Sequence, residues 1–241
     1  MRVFTIADPH LSRAQPKPMD IFGPGWVGHP ERFFEAWRAT VGPEDLVIVP
    51  GDISWALHFE EALPDLQDLG ELPGIKVLLR GNHDYWWPAI GKLRRSLPPK
   101  MYALQNDALA IRGVAIAGTR GWITPIDRNF TSEDEKIYQR ELERLRLSLA
   151  ALRHLTYEHL IIAFHFPPLG PGGEPTGFTE LISDLHPTAV VYGHLHGVEH
   201  APKASWSKTP FHLVSADYLQ FCPKLLLELP TQPQPLGMMD S

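Results

Sequence analysis

Short apolar runs recur along the chain, and several stop abruptly at a carboxylate, an amide or an imidazole. Residues 3–7, 46–49, 77–79, 160–164 and 189–192 are rich in Val, Ile and Leu. They predict buried strands, because a strand covered on both faces loses its polar alternation. Helical spacing lies between the early ones. Over 31–41, Phe33, Phe34 and Trp37 share a face, and over 59–69 Leu63, Leu66 and Leu69 do the same. A third helix is expected over 88–97, with Pro88 in its first turn.

The middle of the chain changes character. Residues 101–104, 109–111 and 114–117 are short and closely spaced, with Asn106-Asp107 and Arg112-Gly113 as turn signals. They predict an antiparallel meander within a second sheet. The longest helix is expected over 132–155. Thr131 or Ser132 caps it with Asp134 or Glu135, and Tyr138, Leu142, Leu145, Leu149 and Leu152 form one apolar face. A short helix over 178–185 follows, then strand-like pieces at 198–201, 211–215 and 225–229. The fold class is α/β, with two stacked mixed sheets flanked by helices in four layers. The expected organisation is one domain over 1–229 and a Pro-rich, loose tail over 230–241.

Composition narrows the class. A chain of 241 residues that is 44% hydrophobic suits one sizeable core. A formal net charge of −6 disfavours non-specific nucleic-acid binding, which rests on Lys and Arg neutralising phosphates. The single cysteine, Cys222, excludes an internal disulfide and reads as a small buried residue beside Phe221. No segment has the length of a membrane span or the pattern of a signal peptide, so a cytoplasmic protein without membrane contacts is expected.

The polar residues that end the apolar runs carry the chemistry. They are Asp8-Pro9-His10, Gly51-Asp52, Gly81-Asn82-His83-Asp84, His165, and Gly193-His194-Leu195-His196. Ligands gather beyond the carboxyl ends of strands in open α/β sheets, so these clusters predict one site assembled from the whole chain. Asp8 and His10, like His194 and His196, flank one residue. In an extended segment alternate side chains point the same way. Oxygen and imidazole donors without thiolates favour Mn, Fe, Zn or related ions. Asp8, His10, Asp52, Asn82, His165, His194 and His196 exceed the needs of one ion and suffice for two that share a carboxylate. Two-metal sites suit in-line displacement at phosphate esters.

The ordered set Asp-x-His, Gly-Asp, Gly-Asn-His-Asp, His, Gly-His-x-His resembles the calcineurin-like metallophosphoesterase superfamily, in particular its small stand-alone bacterial members. The resemblance spans Asp8 to His196. It implies a double β-sandwich flanked by helices and a dinuclear phosphoesterase working by in-line attack of a metal-bridging hydroxide. By similarity, Asp8, His10 and His196 hold one divalent ion, Asn82, His165 and His194 the other, and Asp52 bridges them. The ions are Mn, Fe, Zn or Ni. His83 stabilises the phosphoryl group or protonates the leaving oxygen, and Asp84 orients His83. The sequence Gly51-Asp52-Ile53-Ser54-Trp55 and the final Asp84 depart from the protein Ser/Thr phosphatase pattern. The substrate expected is a small phosphoester, cleaved as a diester or as a small-molecule monoester. A nuclease and a metal-binding interaction scaffold are the alternatives. Nucleic acid is not the favoured partner, and oligomeric state is open.

Several other residues border these motifs. Arg120 is the candidate phosphate contact, since a guanidinium fork grips phosphate; an exposed arginine is the alternative. Trp86 and Trp87 are expected in the core rather than stacked on substrate. Arg80 is expected to pair with a surface acid. His29 and His58 are candidates to line the pocket. The aromatic loop around Trp26 is expected to be exposed and to offer an interface.

Overall fold

Nearly every strand near the motifs is buried on both faces, which is why it reads as an unbroken apolar run. The computed structural model describes residues 1–230, so the tail expected over 230–241 lies outside the described residues apart from Pro230. One sheet holds β1 (Arg2–Thr5), β2 (Leu46–Pro50), β3 (Ile75–Leu79), β4 (Met101–Ala103) and β10 (Lys224–Glu228), in the order β10-β1-β2-β3-β4. The other holds β5 (Leu109–Ile111), β6 (Val114–Thr119), β7 (His159–Phe164), β8 (Ala189–Tyr192) and β9 (Phe211–Leu213), in the order β5-β6-β7-β8-β9. Among the described residues, only the edge pairs β1–β10 and β5–β6 are antiparallel. The others run parallel, so β1, β2, β3, β6, β7 and β8 all end at one side of the molecule.

Period-two alternation divides each strand between two cores. Leu46 and Ile48 of β2 meet Ile116, Ile161, Ala163 and Val191 of the second sheet. Val47 and Val49 face the helices α1 (His29–Thr40), α2 (Phe59–Glu71) and α3 (Ile90–Ser96), through Phe33, Trp37, Leu66 and Leu93. On the far side Leu160, Ile162 and Phe164 pack on α4 (Ser132–Ala151) and α5 (Gly177–Ile182), through Tyr138, Leu142, Leu145 and Phe178. Helix, sheet, sheet and helix therefore make the four layers expected. Thr131 and Asp134 close the reciprocal cap on α4.

Four local expectations fail. Met101–Ala103 does not join a meander; it pairs parallel to β3, in the first sheet. Only Leu109–Ile111 and Val114–Thr119 form a hairpin, where Arg112 and Gly113 take φ of 50° and 84°. That primed geometry matches strand twist. Residues 198–201 are loop, without a partner strand among the described residues, because β8 is flanked instead by β7 and β9. Pro88 stands outside α3, which begins at Ile90. Cys222 is exposed, while its neighbour Phe221 takes the core position.

Candidate metal centre

Asp8 follows β1, Asp52 follows β2, Asn82 and His83 follow β3, His165 follows β7, and His194 and His196 follow β8. The parallel registers bring these five strand ends together. Hydrogen bonds tie the first two loops: Asp8 N–H donates to Gly51 O (3.0 Å), His10 N–H to Asp52 O (3.1 Å) and Leu11 N–H to Ile53 O (2.9 Å). Asp8, His10, Asp52 and His194 all hold left-handed φ, between 46° and 69°. Non-glycine residues seldom adopt it, and its clustering here marks a site where the fold imposes backbone conformation.

Close approach explains two of the motif glycines. A Cβ on Gly81 would lie 2.1 Å from Asp52 Oδ1, and one on Gly193 would lie 2.4 Å from Asp8 Oδ2. Neither position has room for a side chain.

Ligand atoms of Asp8, His10 and His196 lie within 4.8 Å of one another, and so do those of Asp8, Asp52 and His165. Asp52 Oδ2 stands 3.8 Å from His10 Nε2 and 3.4 Å from His165 Nε2. Asn82 Oδ1 is 2.6 Å from His165 Nε2. His165 Nδ1 faces Pro50 O at 3.0 Å, so its proton belongs there and Nε2 keeps a free lone pair. His194 sits one step out. Its ring lies 5.2 Å from that of His165 and 3.9 Å from Phe166, and its N–H donates to Asp8 Oδ2 (3.0 Å).

The electrostatics fit a cation. Burial pushes Asp8 up to about 8 and Asp52 up to about 6. Burial also lowers His10, and brings His165 and His194 down to about 3. Water-excluded carboxylates resist ionisation until a positive ion joins them, and imidazoles kept neutral by burial have lone pairs to offer it. His196 differs: burial works to lower it, but Asp217, Asp8 and Asp52 together raise it. Asp8 Oδ1 and His10 Nδ1 are buried without a hydrogen-bond partner. An orphaned carboxylate oxygen beside neutral imidazoles is the donor set a divalent ion takes.

The supporting residues differ from expectation. Asp84 does not orient the His83 ring. Its carboxylate accepts from Ile53 N–H (2.9 Å), Ser54 N–H (3.2 Å), Gly81 N–H (2.7 Å) and Trp86 Nε1–H (3.0 Å), which locks the β2 and β3 loops together. Among the described residues no hydrogen bond joins it to the His83 imidazole. His83 donates its backbone N–H to Asp52 Oδ1 (2.8 Å), and its half-buried ring rests 4.4 Å from Trp55. Burial lowers its pKa, against the pull of Asp52.

Arg120 is not the exposed arginine of the alternative reading. Its side chain is 14% exposed and pairs with buried Glu141 at 3.2 Å, which also takes Thr119 Oγ1–H and Arg144. The Arg120 carbonyl accepts from His165 and Phe166 N–H, so it braces the His165 turn. Arg80 donates to Asp84 O (3.2 Å) rather than to a surface acid. Trp86 and Trp87 lie in the core, as expected.

Trp26 is also buried, with its ring 5.8 Å from His10 and 5.4 Å from His196. The exposed apolar residues of that loop are Ile21, Phe22 and Val27. His29 lies behind the site, its Nε2 3.3 Å from His10 O. His58 caps α2 instead.

Sequence reasoning missed Trp55, stacked 4.7 Å from His10, and Asp217. Asp217 Oδ1 accepts from His196 Nδ1–H (2.8 Å) and Oδ2 from Gly197 N–H (2.8 Å). No spacing links Asp217 to the motifs, since it reaches the site only through the turn after β9.

Two five-stranded sheets with helices outside, and a carboxylate–imidazole cluster at their shared strand ends, define a metal-dependent phosphoesterase. The family model for calcineurin-like phosphoesterases matches residues 1–198, and the chain belongs to that family. None of the curated proteins matches the sequence. Among solved structures, the phosphopantetheinyl hydrolase PptH from Mycobacterium tuberculosis is similar at a TM-score of 0.58 and 15% identity. That match covers 97% of this chain and 98% of that one. The protein TT1561 from Thermus thermophilus is similar at 0.55 and 16%, covering 93% and 97%. Both share the fold. No described helix is long and apolar enough to cross a membrane.

Proposed function

We propose that the chain is a dinuclear phosphoesterase that cleaves small phosphoesters. The observation that carries this is the position of Asp52. Its Oδ2 stands between His10 Nε2 and His165 Nε2, one from each of the two ligand groups, as a shared carboxylate requires. Asp8, His10 and His196 would hold one ion. Asn82, His165 and His194 would hold the other, with His194 drawing in from its stack on Phe166. Divalent ions at such a site, whether Mn, Fe, Zn or Ni, supply a hydroxide nucleophile near neutral pH and neutralise the phosphoryl oxygens.

The chain's own residues do the rest. Asp8 and Asp52 supply the negative charge, and His10, His165 and His194, kept neutral by burial, offer lone pairs without adding positive charge. The His83 ring lies 5.8 Å from that of His10 and is half-buried. It donates an N–H to a phosphoryl or leaving-group oxygen, for which a neutral imidazole suffices. Arg120, the phosphate contact expected from sequence, has its guanidinium paired with Glu141, so no phosphate contact is assigned to it.

The test is hydrolysis of bis-p-nitrophenyl phosphate beside p-nitrophenyl phosphate, by metal-stripped protein with and without added Mn²⁺. Metal-restored cleavage with the diester in excess supports a phosphodiesterase. Preference for the monoester places the substrate among small phosphomonoesters. No cleavage of either by protein holding two ions overturns the proposal.

A further inference from the structure

The loops after β6, β7 and β8 enclose a pocket of about 330 Å³ on the second-sheet side of the metal centre. Ile123, Phe166, Leu169, Leu195 and Val198 line it, and His194 is also part of its wall. Phe166 and His194 lie 3.9 Å apart between ring centroids, so the pocket wall and a proposed metal ligand are one continuous surface. The polar residues in the lining are few. Thr124 is buried, and Asp127 Oδ1 is engaged by the N–H of Asn129 (2.8 Å). His200 stands exposed at the rim. No lysine or arginine belongs to the lining.

We infer that this pocket is a specificity subsite for the organic group carried by the phosphoester, and that the group is uncharged and largely apolar, on the scale of one or two rings. The inference rests on the phosphoesterase reading. Three observations select that occupant. The volume falls near the lower end for small-molecule sites, too small for a folded partner. The lining is apolar and lacks cations, so a second phosphate or carboxylate would be desolvated there without a counter-charge. The shared His194 puts the occupant in contact with the residue that reaches the metal, as a substituent on the reacting phosphorus must be.

The experiment uses the metal-loaded full chain with two probes, 1-naphthylmethylphosphonate and methylphosphonate. Both are non-hydrolysable and differ only in the apolar group. Their dissociation constants are measured for the wild type and for Val198→Trp, which fills the pocket from a half-buried loop position. Val198→Ala is the second variant, in case the larger residue disturbs the loop.

The wild type should bind the naphthyl probe at least about tenfold more tightly, the scale of an apolar group entering a complementary pocket. Val198→Trp should lose most of that preference while retaining its metal content, and Val198→Ala should reduce it in part. Equal affinity for the two probes in the wild type, or an unchanged preference in both variants, would overturn the inference. The phosphoesterase reading is checked separately by turnover of the p-nitrophenyl esters. A naphthyl preference without turnover would sink that reading and leave only an apolar binding pocket beside His194; turnover without preference would keep the reading and overturn the subsite.

Discussion

Asp8, His10, Asp52 and Asn82 leave the first sheet, whereas His165, His194 and His196 leave the second, and the fold holds the two groups differently. On the first-sheet side the carboxylates are fully buried, and three loops are laced together by backbone hydrogen bonds and by the four contacts of Asp84. Trp26 and Trp55 pack against His10 from two directions. On the second-sheet side the candidate donors are imidazoles alone, and the loops border an apolar pocket. A misplaced buried charge is far more costly than a misplaced neutral ring. The side that carries the carboxylates is therefore braced, and the side that carries only imidazoles borders an apolar pocket.

The sharpest way to break this comparison is to remove the charge. Asp52→Asn should release metal and lower kcat/KM by roughly 10²–10³-fold, the scale set by one preorganised electrostatic contact. Metal content by elemental analysis, read beside turnover, checks it; two tightly held ions with full activity would show that Asp52 is not shared. Asp84→Ala tests the bracing itself. It strands four buried donors and should cost about 3 kcal/mol of stability, measured by denaturant unfolding. A loss confined to activity, with stability intact, would return Asp84 to a role in the chemistry.

Asp217→Asn probes the carboxylate brace behind His196 on the second-sheet side. It should weaken binding of one ion by about 10–100-fold, the usual effect of losing a carboxylate behind a ligating histidine, and leave the other ion in place. Competition with a chelator, titrated in two steps, separates the ions. Equal loss of both would mean that Asp217 supports the fold rather than His196.

The narrowest test concerns a first-sheet residue outside the candidate site, seen only in a limited pH window. Burial lowers the Lys76 amine from 10.5 to about 8, although it donates to the carbonyls of Leu72 and Gly70. The unfolded chain then binds the extra proton between those two values, so the unfolding free energy rises with pH across that window. Wild-type stability should gain on Lys76→Met from about pH 8 to 10.5. A constant difference between the two proteins would show that the amine is not desolvated.

The motifs were legible because each stands where an apolar run stops, and strand ends in parallel sheets converge. The core helices were legible too, since Phe33, Trp37 and Leu66 obey helical spacing whatever lies beside them. Strand partnership was not. Met101–Ala103 has the same local signature beside β3 as it would in a hairpin, and the choice depends on which edge is free. Asp84 and Arg80 were misassigned for a related reason, because sequence neighbours of a catalytic motif need not share its cavity. Trp26 was misread as exposed because burial of a loop residue depends on what folds over it.

The amino-acid order determined the class of this protein: five donor clusters closing five apolar runs, with glycines directly before Asp52, Asn82 and His194. Those are local facts, written in residue type and spacing. Only the tertiary structure decided that Asp52 Oδ2 comes within 3.8 Å of His10 Nε2 and 3.4 Å of His165 Nε2, that Asp217 stands behind His196, and that the second-sheet loops border a pocket beside His194. Each of these depends on distances between segments far apart in the chain, and such distances are set by packing and register rather than by any residue alone.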